Sequence, residues 1–212
     1  MLPSRRMYQP RLFREENRGR LHDLIDTCSF GTLVVCARDG ETEISHLPFV
    51  LDRDVGAHGR LRVHTARANP ICKLALGAAR VTAVFSGPHG YVSPAWYERP
   101  DEQVPTWNYA VVHAHGAANE LERQPLVQLL DDLVSRNEGD GPGAWRTSML
   151  RPGLRDRLLD EIVGLSIDIT ALEGKFKLSQ NRSAPDQARV VEALCGRAGP
   201  DDLALARLMS RD

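Results

Sequence analysis

The stretch Val63-His64-Thr65-Ala66-Arg67-Ala68-Asn69-Pro70 decides how the rest of the chain is read. Val63, His64 and Thr65 suit the end of a strand, and Pro70 suits a first helical turn, where its missing N–H costs no hydrogen bond. Between strand and helix the chain turns through a guanidinium and an amide, Arg67 and Asn69. Such a corner is expected to hold an anionic cofactor. Arg67 and the free N–H groups of the helix start would meet a phosphate or carboxylate, while His64 could meet a metal or a ring.

Working outward, residues 61–65 form the third strand, 69–76 a helix and 80–86 a fourth strand. Upstream, residues 20–27 place Leu21, Leu24 and Ile25 on one helical face. Residues 30–37 and 43–51 are β-rich and flank the Asp39-Gly40 turn signal, which predicts a hairpin, and residues 52–60 form a glycine-bearing loop. Downstream, Gly87-Pro88-His89-Gly90 is expected to break the chain, and residues 94–105 to form a loop holding two aromatics. Residues 106–116 are too β-branched and aromatic for a helix and read as a strand leading into 117–121. A helix follows over 124–137, a turn over 138–143, a helix over 153–162 and a last alternating strand over 164–172. Residues 185–195 and 201–209 give a helical tail. About six strands with few helices between them predict an α+β protein built on a small β-barrel, with residues 7–183 as the barrel domain and 184–212 as a tail packed on it.

Composition narrows the function classes. The 212 residues carry a net charge of −1 with 42% hydrophobic residues, enough for a real core and too neutral for general affinity to nucleic acid or acidic membranes. No apolar run approaches the roughly 20 residues that span a bilayer. Arg5-Arg6 is not followed by an apolar segment, so a cytoplasmic protein is expected, with Met7 as an alternative start. Cys28, Cys36, Cys72 and Cys195 have no C-x-x-C spacing and read as reduced thiols. The glycine-rich dinucleotide and nucleotide loops, the G-x-S-x-G elbow and the H-E-x-x-H zinc motif are all missing.

Three further stretches combine aromatic and polar residues as binding sites do: 90–97, 104–116 and 173–182. Trp96, Tyr97, Trp107 and Tyr109, flanked by Ser93, Thr106 and Asn108, could form the wall of a planar ligand's pocket or ordinary core. His113 and His115 share a strand face, as a metal would need, yet no acidic or cysteine partner stands at a telling distance. Structural hydrogen bonding is the expectation for both. Lys175 and Lys177 would share a face with Arg182 close behind, either a solvated basic surface or a clamp on phosphate, propionate or a substrate carboxylate.

The runs SHLPF (45–49), HTARANP (64–70), YVSPAWY (91–97), VPTWNYAVVHAHG (104–116) and EGKFKLSQNR (173–182) resemble the PaiB-like family, known as FMN-binding negative transcriptional regulators. The resemblance extends over residues 7–193 and implies a split β-barrel of the pyridoxamine-phosphate-oxidase type with peripheral helices, usually a homodimer with cofactor sites between subunits. In such barrels the third-strand corner, here His64 to Asn69, takes the flavin phosphate. The same family contains the piperazate synthases, haem-dependent enzymes that close the N–N bond of N5-hydroxy-L-ornithine, and by that similarity His64 is the axial ligand to haem iron. Ile71-Cys72 and Glu98-Arg99 depart from the commoner family pattern near the cofactor region.

The haem reading uses more of the sequence than its rivals. It gives His64 to the iron of haem b, and His64, Arg67, Asn69, Trp96, Trp107, Lys177 and Arg182 to the cofactor. Tyr97, Tyr109, His113 and Lys175 supply acid and base for a small-molecule substrate of secondary metabolism. The alternative is an FMN-binding PaiB-like regulator or a flavin oxidoreductase. Specific DNA binding is not expected, because the 124–137 helix carries Asp131 and Asp132 against Arg136.

Overall fold

Alternation between β-branched and polar residues sets the strands of the computed structural model, which describes residues 7–37, 40–139 and 141–210. In chain order the elements are β1 (Arg14–Glu15), α1 (Arg18–Thr27), β2 (Phe30–Cys36), β3 (Thr42–Asp52), β4 (Arg60–Ala66), α2 (Ile71–Gly77) and β5 (Val81–Val92). They continue with β6 (Thr106–Glu120), α3 (Arg123–Glu138), α4 (Leu154–Asp160), β7 (Ile162–Lys177), α5 (Ala184–Arg197) and α6 (Pro200–Met209). The strands form one sheet in the order β1-β7-β4-β3-β2-β5-β6, and a further β7–β6 pairing closes it into a barrel. The described neighbours run antiparallel. No helix among the described residues is long and apolar enough to cross a membrane.

The expected hairpin is present, with Cys36 opposite Thr42, although Arg38 and Asp39 of its turn and the Arg5-Arg6 pair lie outside the described residues. Two expectations are corrected. The Gly87-Pro88-His89-Gly90 run does not break the chain but lies inside β5. There the buried positions change from odd (Val81, Ala83, Phe85, Gly87) to even (Gly90, Val92), so Gly and Pro mark an irregularity within a strand and not its end. Likewise β7 runs on to Lys177, because Glu173 to Lys177 continue as extended backbone and Arg14 and Glu15 of β1 pair with Lys175 and Gly174.

Two compact units share these strands. One holds the described residues up to Leu21, Ser86–Val112 and the described residues from Glu173 onward. Its apolar centre includes Phe176, Leu178, Val190, Leu194 and Leu205. Ser183 caps α5 by accepting from the Asp186 N–H at 3.2 Å, and Arg197 pairs with Asp202 of α6.

The other unit holds His22–Phe85 and His113–Leu172. Inward residues of β2, β3, β4, β5 and β7, among them Leu33, Phe49, Val63, Phe85 and Leu165, are buried inside it. Phe49 and Phe85 meet edge to face at 5.3 Å, and a Cβ at Gly31 would stand 2.9 Å from the Phe85 ring, so this strand position requires glycine. Outside the barrel, α3 and α4 build a second apolar layer from Leu126, Leu129 and Leu159 against Val50. Arg62, on the outer face of β4, fixes α3 there: it donates to both oxygens of Asp52 at 2.8 and 2.7 Å and to Asp132 at 2.7 Å.

Candidate functional site

Because side chains alternate along β4, Leu61, Val63 and Thr65 point inward while Arg60, Arg62 and His64 face outward beneath the α3–α4 layer. His64 therefore lies in the wall of a groove of about 540 Å³, within the range typical of cofactor sites. Opposite it stand Leu130, Leu133 and Val134 of α3, Trp145 and Leu150 of the following loop, and Leu158 of α4. Trp145 and Leu158 are 40% and 50% exposed, which leaves apolar surface facing the groove without a protein partner to cover it fully.

The imidazole is poorly provided for by the protein. Its Nδ1 is buried and has no hydrogen-bond partner among the described residues, a deficit of roughly 1–3 kcal/mol for a buried polar atom. Burial also pushes its pKa below the ordinary histidine value, which keeps the ring neutral at neutral pH. A neutral imidazole is the form that binds a metal.

The rest of the corner is closed on itself. Arg67 donates through Nε to the Asp160 carbonyl at 2.7 Å and through Nη2 to the Ile162 carbonyl at 2.9 Å. Asn69 donates to the hydroxyls of Ser45 and Thr65, both at 3.1 Å, and its Oδ1 accepts from the Ile71 N–H at 3.0 Å. At the helix start expected to meet phosphate the Ile71 N–H is thus already taken by Asn69, and α2 has only seven residues. Cys72 is buried with its pKa raised by that burial, which makes it an inert core thiol.

His113 and His115 come together as their spacing predicts, with ring centroids 6.1 Å apart and nearly perpendicular. The buried His115 pairs through Nδ1 with the Thr82 hydroxyl at 2.9 Å.

In the other unit the predicted aromatic and basic residues pair with one another. The Arg182 guanidinium lies 4.9 Å over the ring of Tyr97, whose buried hydroxyl has no partner among the described residues. Arg197 covers Trp96 at 5.2 Å, and Lys175 lies 5.5 Å over Tyr109 and 5.2 Å over Tyr8. Trp107 is 54% exposed beside His89 and Tyr91. Each of the four rings expected to form one wall therefore has its own separate neighbours. Lys177 donates to the Thr106 hydroxyl at 2.5 Å and the Trp107 carbonyl at 2.6 Å, and burial, then the charges of Arg182 and Lys175, hold its pKa below the ordinary lysine value. Asn108, fully buried, donates to Ser179, which sits at φ 66°, a conformation uncommon for a side-chain-bearing residue.

Trp145, Leu150, Arg155 and Leu158 were not legible as site residues. The one available signal was a tryptophan following the Gly-rich run 139–143, where a folded core has little use for it.

Fold and geometry define an α+β split β-barrel of the pyridoxamine-phosphate-oxidase type, with helices packed outside. Residues 7–171 match the putative FMN-binding domain family, and the chain belongs to that family. It is 35% identical over 205 residues to protease synthase and sporulation protein PAI 2 of Bacillus subtilis, covering 96% of each chain, which supports the PaiB-like resemblance. Among solved structures it is similar to an FAD and heme binding protein from Mycobacterium smegmatis, at 21% identity and TM-score 0.60 over 88% of this chain and 80% of that one. It is also similar to the flavocytochrome Anf3 from Azotobacter vinelandii, at 17% identity and TM-score 0.59 over 83% and 75%.

Proposed function

We propose that this protein carries haem b in the outer groove, where His64 would hold the iron, and that it is an N–N bond-forming cyclase. The observation that carries this reading is the neutral His64 imidazole, without a partner at Nδ1, set in an apolar wall. The donor set fits the group: one neutral nitrogen, and apolar side chains for a porphyrin face. Of two proteins similar in fold, one is described as binding FAD and heme and the other as a flavocytochrome, which makes the fold compatible with haem and with flavin alike.

The proposed reaction converts N5-hydroxy-L-ornithine to piperazate and water. The α-amine nitrogen forms a bond to N5 and loses a proton, the N–O bond breaks, and the departing hydroxyl takes up a proton, so no external oxidant or reductant is needed. Bound iron would supply Lewis acidity at the hydroxylamine. The protein's part is to hold the ring, exclude water with Leu130, Leu133 and Trp145, and move two protons. None of Tyr97, Tyr109, His113 and Lys175, expected from the sequence to move these protons, is among the residues that line the groove.

The family match favours a second reading, a flavin protein acting as oxidoreductase or PaiB-like regulator. Absorption of the protein as purified separates the two: a Soret band that shifts or vanishes in His64→Ala supports haem, and flavin bands released by acid support the second. Turnover of N5-hydroxyornithine, followed by mass, then tests the substrate. Retention of wild-type haem and activity in His64→Ala would sink the ligand assignment.

A further inference from the structure

We infer that the occupant of the His64 groove bears a carboxylate or similar anionic arm that is received by Arg155, an inference that deepens the cofactor reading above. Arg155 stands in the first turn of α4 and is the one lysine or arginine among the residues that line the groove. Its Nη2 donates to Asp131 Oδ2 at 3.1 Å, its single and rather long contact among the described residues. Asp131 turns its other oxygen to the Thr147 hydroxyl, and only its Oδ2 accepts from the guanidinium among the described contacts. Meanwhile Nε of Arg155 is buried and has no hydrogen-bond partner among the described residues.

Arg62, on the same unit, shows a guanidinium whose Nε and Nη2 are both met: two contacts to Asp52 and one to Asp132, all at 2.7–2.8 Å. Arg155 is held in place by Asp131 through Nη2, with its Nε unmet among the described residues. Guanidinium donors are arranged as a fork that matches a carboxylate, and a buried unmet donor is destabilising until an acceptor arrives. Arg67, where the anion was expected, is engaged with two backbone carbonyls. Glu138 and Glu161 also line the groove and repel an anion elsewhere, which confines it to the Arg155 end. A ligand with a flat apolar body and one anionic end satisfies the wall and the guanidinium together; haem, with its propionates, is such a ligand.

Two probe pairs test this on cofactor-free full-length protein. Anilinonaphthalene sulfonate is compared with uncharged phenylnaphthylamine by fluorescence, and hemin with its dimethyl ester by Soret titration. The wild type should favour each acid over its neutral counterpart by about tenfold, the scale of one charge-assisted hydrogen bond. Arg155→Gln should bring the ratio near one while leaving affinity for the neutral probes unchanged, and Arg155→Lys should keep part of the preference. Equal binding of acid and neutral forms by wild type, or an unchanged ratio in Arg155→Gln, overturns the inference. The wild-type comparison decides alone if Arg155→Gln does not fold. Absence of a His64-dependent Soret change would remove the haem reading, whereas the naphthalene pair would still decide the role of Arg155.

Discussion

Replacing His64 by Gln in the cofactor-free protein should remove a specific acid sensitivity. His64 is neutral by burial in the folded chain, with its pKa below the reference value of 6.5, whereas the unfolded chain takes up a proton near that value. Below about pH 6.5 the unfolded state therefore binds more protons than the native state, and stability falls as pH falls. The slope reaches at most about 1.4 kcal/mol per pH unit and ends once the pH passes the lowered native value. Above pH 7 both states are neutral at this ring, and the residue contributes no pH dependence. The assay is urea unfolding of wild type and His64→Gln between pH 7.5 and 5. The two proteins differ at this one position, so the difference between the two curves isolates His64. The wild-type curve should drop more steeply below pH 6.5. Parallel curves would refute the claim that this ring is held neutral by its surroundings.

Three other outcomes are expected. Gly31→Ala should lower stability by about 1–3 kcal/mol, read as a fall in melting temperature, because the added methyl meets the Phe85 ring at 2.9 Å; Phe85→Leu in the same chain should recover part of the loss. Leu129→Ala, at a fully buried position between helix and barrel, should cost about 2–5 kcal/mol, and hydrogen exchange should show that α3 opens first. The protein is expected to be a homodimer at micromolar concentration, and light scattering that gives a monomer with cofactor bound would remove that proposal.

Most of the barrel was legible because strand alternation is a local signal. Val63 and Leu61 alternate with Arg62 and His64 in sequence as they do across the sheet. Where the signal is not local, reading stopped short. The Gly87–Gly90 irregularity looks like a turn until its neighbours in the barrel hold it extended, and the end of β7 is paired with β1, whose Arg14 and Glu15 come from near the other end of the sequence. His64 was legible as a strand-end imidazole, but its groove was not. That groove is assembled from α3, α4 and the loop between them, whose apolar residues read as ordinary helix faces until their packing leaves a gap. Asp131 and Asp132 were legible only as negative charge; the structure gives one to Arg155 and the other to Arg62.

The corner formed by Arg67 and Asn69 closes every contact described for it within its own fold. Arg67 and Asn69 thus act as rivets of the barrel, while His64 of the same HTARANP run lines the groove and the segment from Trp145 through Arg155 to Leu158 faces it.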